Sequence, residues 1–209
     1  MKRILIFLYL FSSSHWALPA QITELNEKGV LIVRLESGEA KLKTIQNLIE
    51  KGGTSKQYWE QQLETVQLAL EHKNRAIVAA FEQNYRFSEV FYMYDVDSKK
   101  LTEGATEAIF LNKDLAKDNN IQLNDRPFII AAEAETESGA EGIYLLRPNL
   151  ERLEKPLPHF VKLNNLFFLF NQFSSQKAAI EKRYQQAAKR LNNKLRNYLL
   201  KRGRVEEVD

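Results

Sequence analysis

Residues 87–98 read FSEVFYMYDVDS. Phe87, Phe91 and Met93 fall on one side of a period of two, and Val90, Tyr92 and Tyr94 fall on the other. A strand with one wet face alternates apolar with polar residues, so a strand that is apolar on both faces belongs inside a sheet with cover on each side. The sequence before it has a different period. Trp59, Leu63, Val66, Leu70 and Ile77 are spaced by three, four and seven, which predicts a helix to about Asn84, with Thr54 and Gln57 as a capping box at its start. Leu42, Ile45, Leu48 and Ile49 mark an earlier helix that Gly52 and Gly53 end, so the two form an αα-hairpin. Val30–Leu35 (VLIVRL) is a β-rich run ahead of them.

Downstream, DVDSKK predicts a turn, Ile109–Leu111 a brief strand, and Asn112–Asp125 a polar loop with room for one helical turn. Phe128–Thr136 and Ile143–Arg147, separated by a loop holding Gly139 and Gly142, predict a β-hairpin. Pro148, Pro156 and Pro158 punctuate the chain before an extended piece at His159–Leu163. From about Ser175 to Arg202, Ile180, Tyr184, Ala187, Leu191, Leu195 and Tyr198 line one stripe of a long amphipathic helix. The expectation is a mixed α+β fold of the α/β kind, with a central mixed sheet of about five strands, the αα-hairpin and the C-terminal helix, forming one domain over residues 21–209.

The first twenty residues, MKRILIFLYLFSSSHWALPA, place Lys2 and Arg3 before the apolar run Ile4–Phe11 and end on small residues. That order predicts an export signal cut after Ala20, with Ala17 as the other candidate. A membrane anchor needs roughly 20 apolar residues, and the run Ser12–His15 interrupts this one too early. Removal of the signal leaves no transmembrane segment, and it places the protein in the periplasm or outside the cell.

The chain has no cysteine, which excludes disulfides, thiolate catalysis and cysteine metal sites. A thioredoxin-like scaffold is compatible with the order of elements, but its redox centre is impossible without cysteine. About 189 mature residues bury enough apolar surface to fold without a disulfide staple. Charge is unevenly placed: Lys177–Arg204 carries ten Lys or Arg against Glu181 alone, while the body before it is acidic. A basic helix of this kind either packs on its own acidic domain or meets an anionic protein or membrane surface, and export argues against nucleic acid.

Asp95 and Asp97 follow the two-sided strand, where ligands bind in open α/β sheets, and they are the candidate metal ligands. The calcium-loop spelling fails at Lys99 and Lys100, and a self-bonded Asp turn explains DVDS without a metal. Glu133, Glu135 and Glu137 alternate along the expected hairpin. Of the mature chain's two histidines, His72 sits in a charged run and His159 follows Pro158, and neither has a zinc-site spacing. No nucleophile elbow, phosphate loop or dinucleotide fingerprint is present, so no cofactor is implied. The final EEVD resembles the tail of chaperones of the heat-shock 70 and 90 type; the resemblance covers four residues and nothing upstream, and those chaperones lack an export signal. These readings point to a non-catalytic binding or interaction protein. The alternative is a carboxylate-based or metal-assisted hydrolase using Asp95, Asp97 and Glu133.

Overall fold

A computed structural model describes residues 18–52, 55–164 and 176–206. Residues 1–17 of the expected signal, Thr54 of the expected capping box and residues 207–209 of the EEVD ending lie outside them. The chain runs α1 (Leu18–Lys28), β1 (Val30–Leu35), α2 (Glu39–Glu50), α3 (Lys56–Asn84), β2 (Glu89–Tyr94), a 3-10 turn (Asp95–Asp97) leading into α4 (Ser98–Thr102), β3 (Phe110–Leu111), β4 (Phe128–Glu135), β5 (Glu141–Leu146), β6 (Phe160–Lys162) and α5 (Gln176–Glu206). The fold is mixed α+β, with six strands in the sheet where five were expected.

The strand order is β3-β2-β1-β4-β5-β6. β1 is parallel to both β2 and β4, with Ile32 opposite Phe91 on one side and Ile130 on the other. The outer pairs are antiparallel. β1 is central because it is the most continuously β-branched and apolar of the runs, and five of its six residues are buried. β2 lies between β1 and β3, and Phe91 and Tyr92 are both buried, as a two-sided strand requires.

Two apolar layers flank the sheet. One holds Leu31, Val33, Tyr92, Ile129 and Leu145 against α1, the C-terminal half of α3, and α5. The other holds Ile32, Phe91, Met93 and Ile130 under Leu101 of α4 and the loop residues Ile109 and Leu123. Phe87 precedes the strand and packs in the first layer, not with Phe91 and Met93 in the second.

The αα-hairpin forms as expected, but most of it stands away from the core. Ile45 is the one buried residue of α2, and the buried residues of α3 all lie between Asn74 and Phe81.

The sequence reading placed no helix at α1. Its Ile22 and Leu25 are fully buried, and the helix stops at Gly29, where a Cβ would lie 2.5 Å from Leu25 Cα and 2.9 Å from Pro127 O. Only glycine admits that approach of backbone to backbone. The loop after β3 contains no helical turn; it doubles back, with Asn112 N bonded to Ala116 O at 2.8 Å and Leu111 bridged to Lys117. Among the described residues, no helix is long and apolar enough to cross a membrane.

Candidate functional site

β1 and β4 are parallel neighbours whose chains leave in different directions. After Leu35 the chain crosses to the α2–α3 layer, whereas after Glu135 it turns straight back into β5. Divergence of this kind opens a crevice at the carboxyl ends of the strands. A cleft of about 310 Å³ lies there. Its floor is Arg34 and Leu35 of β1 with Ala134 of β4; Asp95 from the end of β2 and Glu36, Glu133, Glu135 and Glu141 stand around it, and Lys73 reaches in from α3.

Most of the charges near this edge are already neutralised within the chain. Glu133 follows Ile129 and Ala131 on the helix-covered face, so its carboxylate meets α3 and α5. Lys73 Nζ is 3.0 Å from Glu133 Oε2 and 2.9 Å from Glu36 Oε2. Tyr184 of α5 donates its hydroxyl to Glu133 Oε2 at 2.8 Å, and Arg183 pairs with Glu141 while standing 4.0 Å from Glu133 Oε1. Burial alone would lower the Lys73 pKa, but the carboxylates of Glu133 and Glu36 outweigh it and hold the ammonium above its ordinary value. Burial, then the Glu133 charge, pushes the Tyr184 phenol up, so it remains a hydrogen-bond donor. Asn74, buried on α3, donates to Glu36 O at 2.8 Å and fixes the loop after β1.

Arg34 is the exception. It sits at the carboxyl end of the central strand, half-buried, on the face opposite Leu35. Its guanidinium makes no hydrogen bond and no ion pair among the described residues. Burial lowers its pKa, against an opposing pull from the charge of Asp95. Asp95 in turn holds the adjoining loops, since its Oδ1 accepts from Ser37 N at 2.9 Å and from Val96 N at 3.0 Å. Glu135, at the end of β4, is exposed and has no partner among the described residues.

The other residues singled out in the sequence are dispersed. Asp97 is buried and lies outside the cleft, with Lys100 Nζ at 2.6 Å from Oδ1 and Lys117 Nζ at 3.3 Å from Oδ2. Burial would raise its carboxyl, but the two ammonium groups outweigh it and hold it below the usual carboxylate range. Asp95 and Asp97 therefore face different partners, and among the described residues no group of three or more His, Asp or Glu gathers where a metal ion would sit. Glu137 lies past the end of β4 and does not extend the row made by Glu133 and Glu135. His72 is half-buried on α3 with Nε2 3.6 Å from Glu181 of α5, and His159 Nδ1 is 3.0 Å from Leu157 O.

The basic helix packs on the domain through Tyr184, Ala187, Leu191 and Leu195, all buried. Two of its cations cap the edge of the sheet: Lys194 Nζ donates to Phe160 O at 2.8 Å and Arg190 Nη1 to Lys162 O at 3.5 Å. Lys189, Arg196 and Lys201 are exposed.

Sequence reasoning missed Arg34, Lys73, Arg183 and Tyr184. The only signal for Arg34 was a lone charge inside the run VLIVRL. The other three come from distant helices, and no local pattern announces their meeting at Glu133. No protein-family model, no curated protein and no solved structure matches the chain.

Proposed function

We propose that this chain is an exported, non-catalytic binding protein whose ligand enters the cleft at the carboxyl ends of β1, β2 and β4. The observation that carries the reading is Arg34, a half-buried residue on the central strand whose guanidinium makes no hydrogen bond or ion pair among the described residues. Its nitrogens still reach water, so they are open to an anionic group that enters the cleft. Its place at the point where β1 and β4 diverge is where α/β sheets bind ligands.

The hydrolase alternative finds less support. Asp97 lies outside the cleft between two lysines, and Glu133 is engaged by Lys73 and Tyr184. That leaves Asp95 without a second free carboxylate of the expected set. Export rests on the basic start, apolar run and Ala20 of the first twenty residues. The exposed Lys189, Arg196 and Lys201 of α5 leave room for an anionic protein or membrane surface as a further contact.

Arg34→Met tests the reading, because methionine keeps an aliphatic stem and removes the charge. Thermal denaturation of the variant is expected to show stability gained by about 0.5–1 kcal/mol, the size of gain that follows removal of a functional constraint. Native mass spectrometry of the wild-type protein from its own host is expected to show a bound small molecule that the variant lacks. A melting temperature that falls on substitution would make Arg34 a structural residue and sink the reading.

A further inference from the structure

Helix α5 packs on the domain through one face, and the opposite face forms a ridge. Lys182, Lys189 and Arg196 recur every seven residues, which brings them within about 40° of one another around a helix of 3.6 residues per turn. All three are exposed, and Leu200, 61% exposed, lies at the end of the same line. From Lys182 to Leu200 the ridge runs about 27 Å. Its flanks are basic as well. Arg86, just past the end of α3, is held against α5 by its backbone N–H, which donates to Asn192 Oδ1 at 2.8 Å, and its guanidinium bonds the carbonyls of Glu82 and Tyr85. On the other flank, Arg190 and Lys194 bond the carbonyls of β6. A bond to a carbonyl leaves the positive charge in place. Among the described residues no carboxylate pairs with Arg86, Lys189, Arg190, Lys194 or Arg196, whereas Lys56, Arg75, Lys99 and Lys113 of the body each pair with one.

We infer that this face of α5 docks on an anionic membrane surface, with Lys182, Lys189 and Arg196 over the lipid headgroups and Leu200 at the bilayer boundary. Charge complementarity carries it. Residues 177–204 hold ten Lys or Arg against Glu181 alone, while residues 21–175 hold 18 against 23 Asp or Glu, so a negative surface attracts the ridge and repels the body. The helix has no apolar stripe left to bury in lipid, because Tyr184, Ala187, Leu191 and Leu195 are already buried in the domain. Contact is therefore electrostatic, made at the headgroups, apart from Leu200. A convex ridge with charges about 10 Å apart offers no pocket for a small anion and suits an extended partner. An anionic protein would have to place its carboxylates at that spacing, whereas a fluid bilayer brings its headgroups to the charges. Docking through α5 does not depend on the cleft or on Arg34.

Co-sedimentation with vesicles tests the docking, with each protein purified from its own host so that all variants carry the same N-terminus. Wild type is expected to bind vesicles of phosphatidylcholine with about one-third phosphatidylglycerol and to ignore pure phosphatidylcholine, and to lose binding as salt rises from about 0.02 to about 0.5 M. Each basic residue near such a surface contributes about fivefold, so Lys189→Gln with Arg196→Gln should weaken binding about 25-fold at an unchanged melting temperature. Lys41→Gln with Lys43→Gln removes the same charge from exposed positions on α2 and should weaken binding less than about twofold, since the attraction fades within a Debye length. An equal loss in that control would assign the binding to net charge and overturn the ridge as the docking face. If wild type binds soluble polyglutamate through Lys189 and Arg196 but not the vesicles, the partner is an acidic protein and the membrane is wrong. No binding to anionic vesicles or polyglutamate at low salt overturns the docking outright. Arg34→Met should bind vesicles as wild type does, so the cleft stands or falls separately.

Discussion

Asp97 shows how one side chain serves a turn without serving a ligand. Its carboxylate is buried, yet both lysines that neutralise it have side chains more than half exposed. The pair energy is therefore screened, and Asp97→Asn is expected to cost on the order of 1 kcal/mol in urea denaturation. The pH dependence has a fixed sign. The folded carboxyl titrates below its unfolded value of 3.8, so the stabilisation is present above that pH and is lost as pH falls through the folded value. The gap between wild type and Asp97→Asn should accordingly be full at neutral pH and close below about pH 4. A gap that widened in acid would mean the lysines do not hold the carboxylate charged. At this scale the sequence was partly legible. Asp95 was readable as a strand-end residue because strand position and turn chemistry are local properties. The partners of Glu133 were not, because Lys73 and Tyr184 lie 60 and 51 positions away along the chain.

Elements were easier to read than contacts, since hydrophobic period is written in consecutive residues. The stripe of α5, the two faces of β2 and the long α3 all follow from spacing. α1 escaped because its start overlaps the expected signal, whereas the two-residue β3 falls inside the brief strand expected at Ile109–Leu111. Register and strand order were out of reach, because they depend on which runs meet in space. The β6 edge illustrates a contact between elements that spacing cannot reveal. Phe160 O and Lys162 O point outward from the last strand of the sheet and accept from Lys194 and Arg190 of α5. An uncovered edge offers such groups to a second chain, and lysine and arginine placed there block that pairing. Replacing both cations by serine should leave the melting temperature within about 0.5 kcal/mol equivalent, since exposed contacts contribute little to stability. Sedimentation at increasing concentration should then show self-association absent from the wild type. A variant that stayed monomeric would leave these two residues without a protective role.

At the scale of the whole molecule, the proposed export would require one N-terminal segment to serve both the signal and the fold, and α1 is where the two would meet. Ile22 and Leu25 are fully buried against the layer shared with α5 and β4, while the expected cut after Ala20 falls within the first turn of the helix. Cleavage there would remove Leu18, Pro19 and Ala20 but retain both core residues, so a chain that begins at Gln21 would keep this packing. Proteins of residues 18–209 and 21–209 are expected to differ by less than about 1 kcal/mol, since helix ends fray and contribute little. A protein of residues 29–209 loses both side chains. Truncating one buried Leu or Ile to Ala costs about 2–5 kcal/mol, and a domain's whole stability is about 5–15 kcal/mol. That shortest protein should lose most of its cooperative unfolding transition. Mass spectrometry of the protein from its native host is then expected to find Gln21, or Leu18 if Ala17 is used, at the N-terminus. Met1 on the accumulated protein would overturn export. A mature N-terminus beyond Leu25, on a chain that still unfolds cooperatively, would show that α1 is dispensable and that the layer it covers is closed by other means.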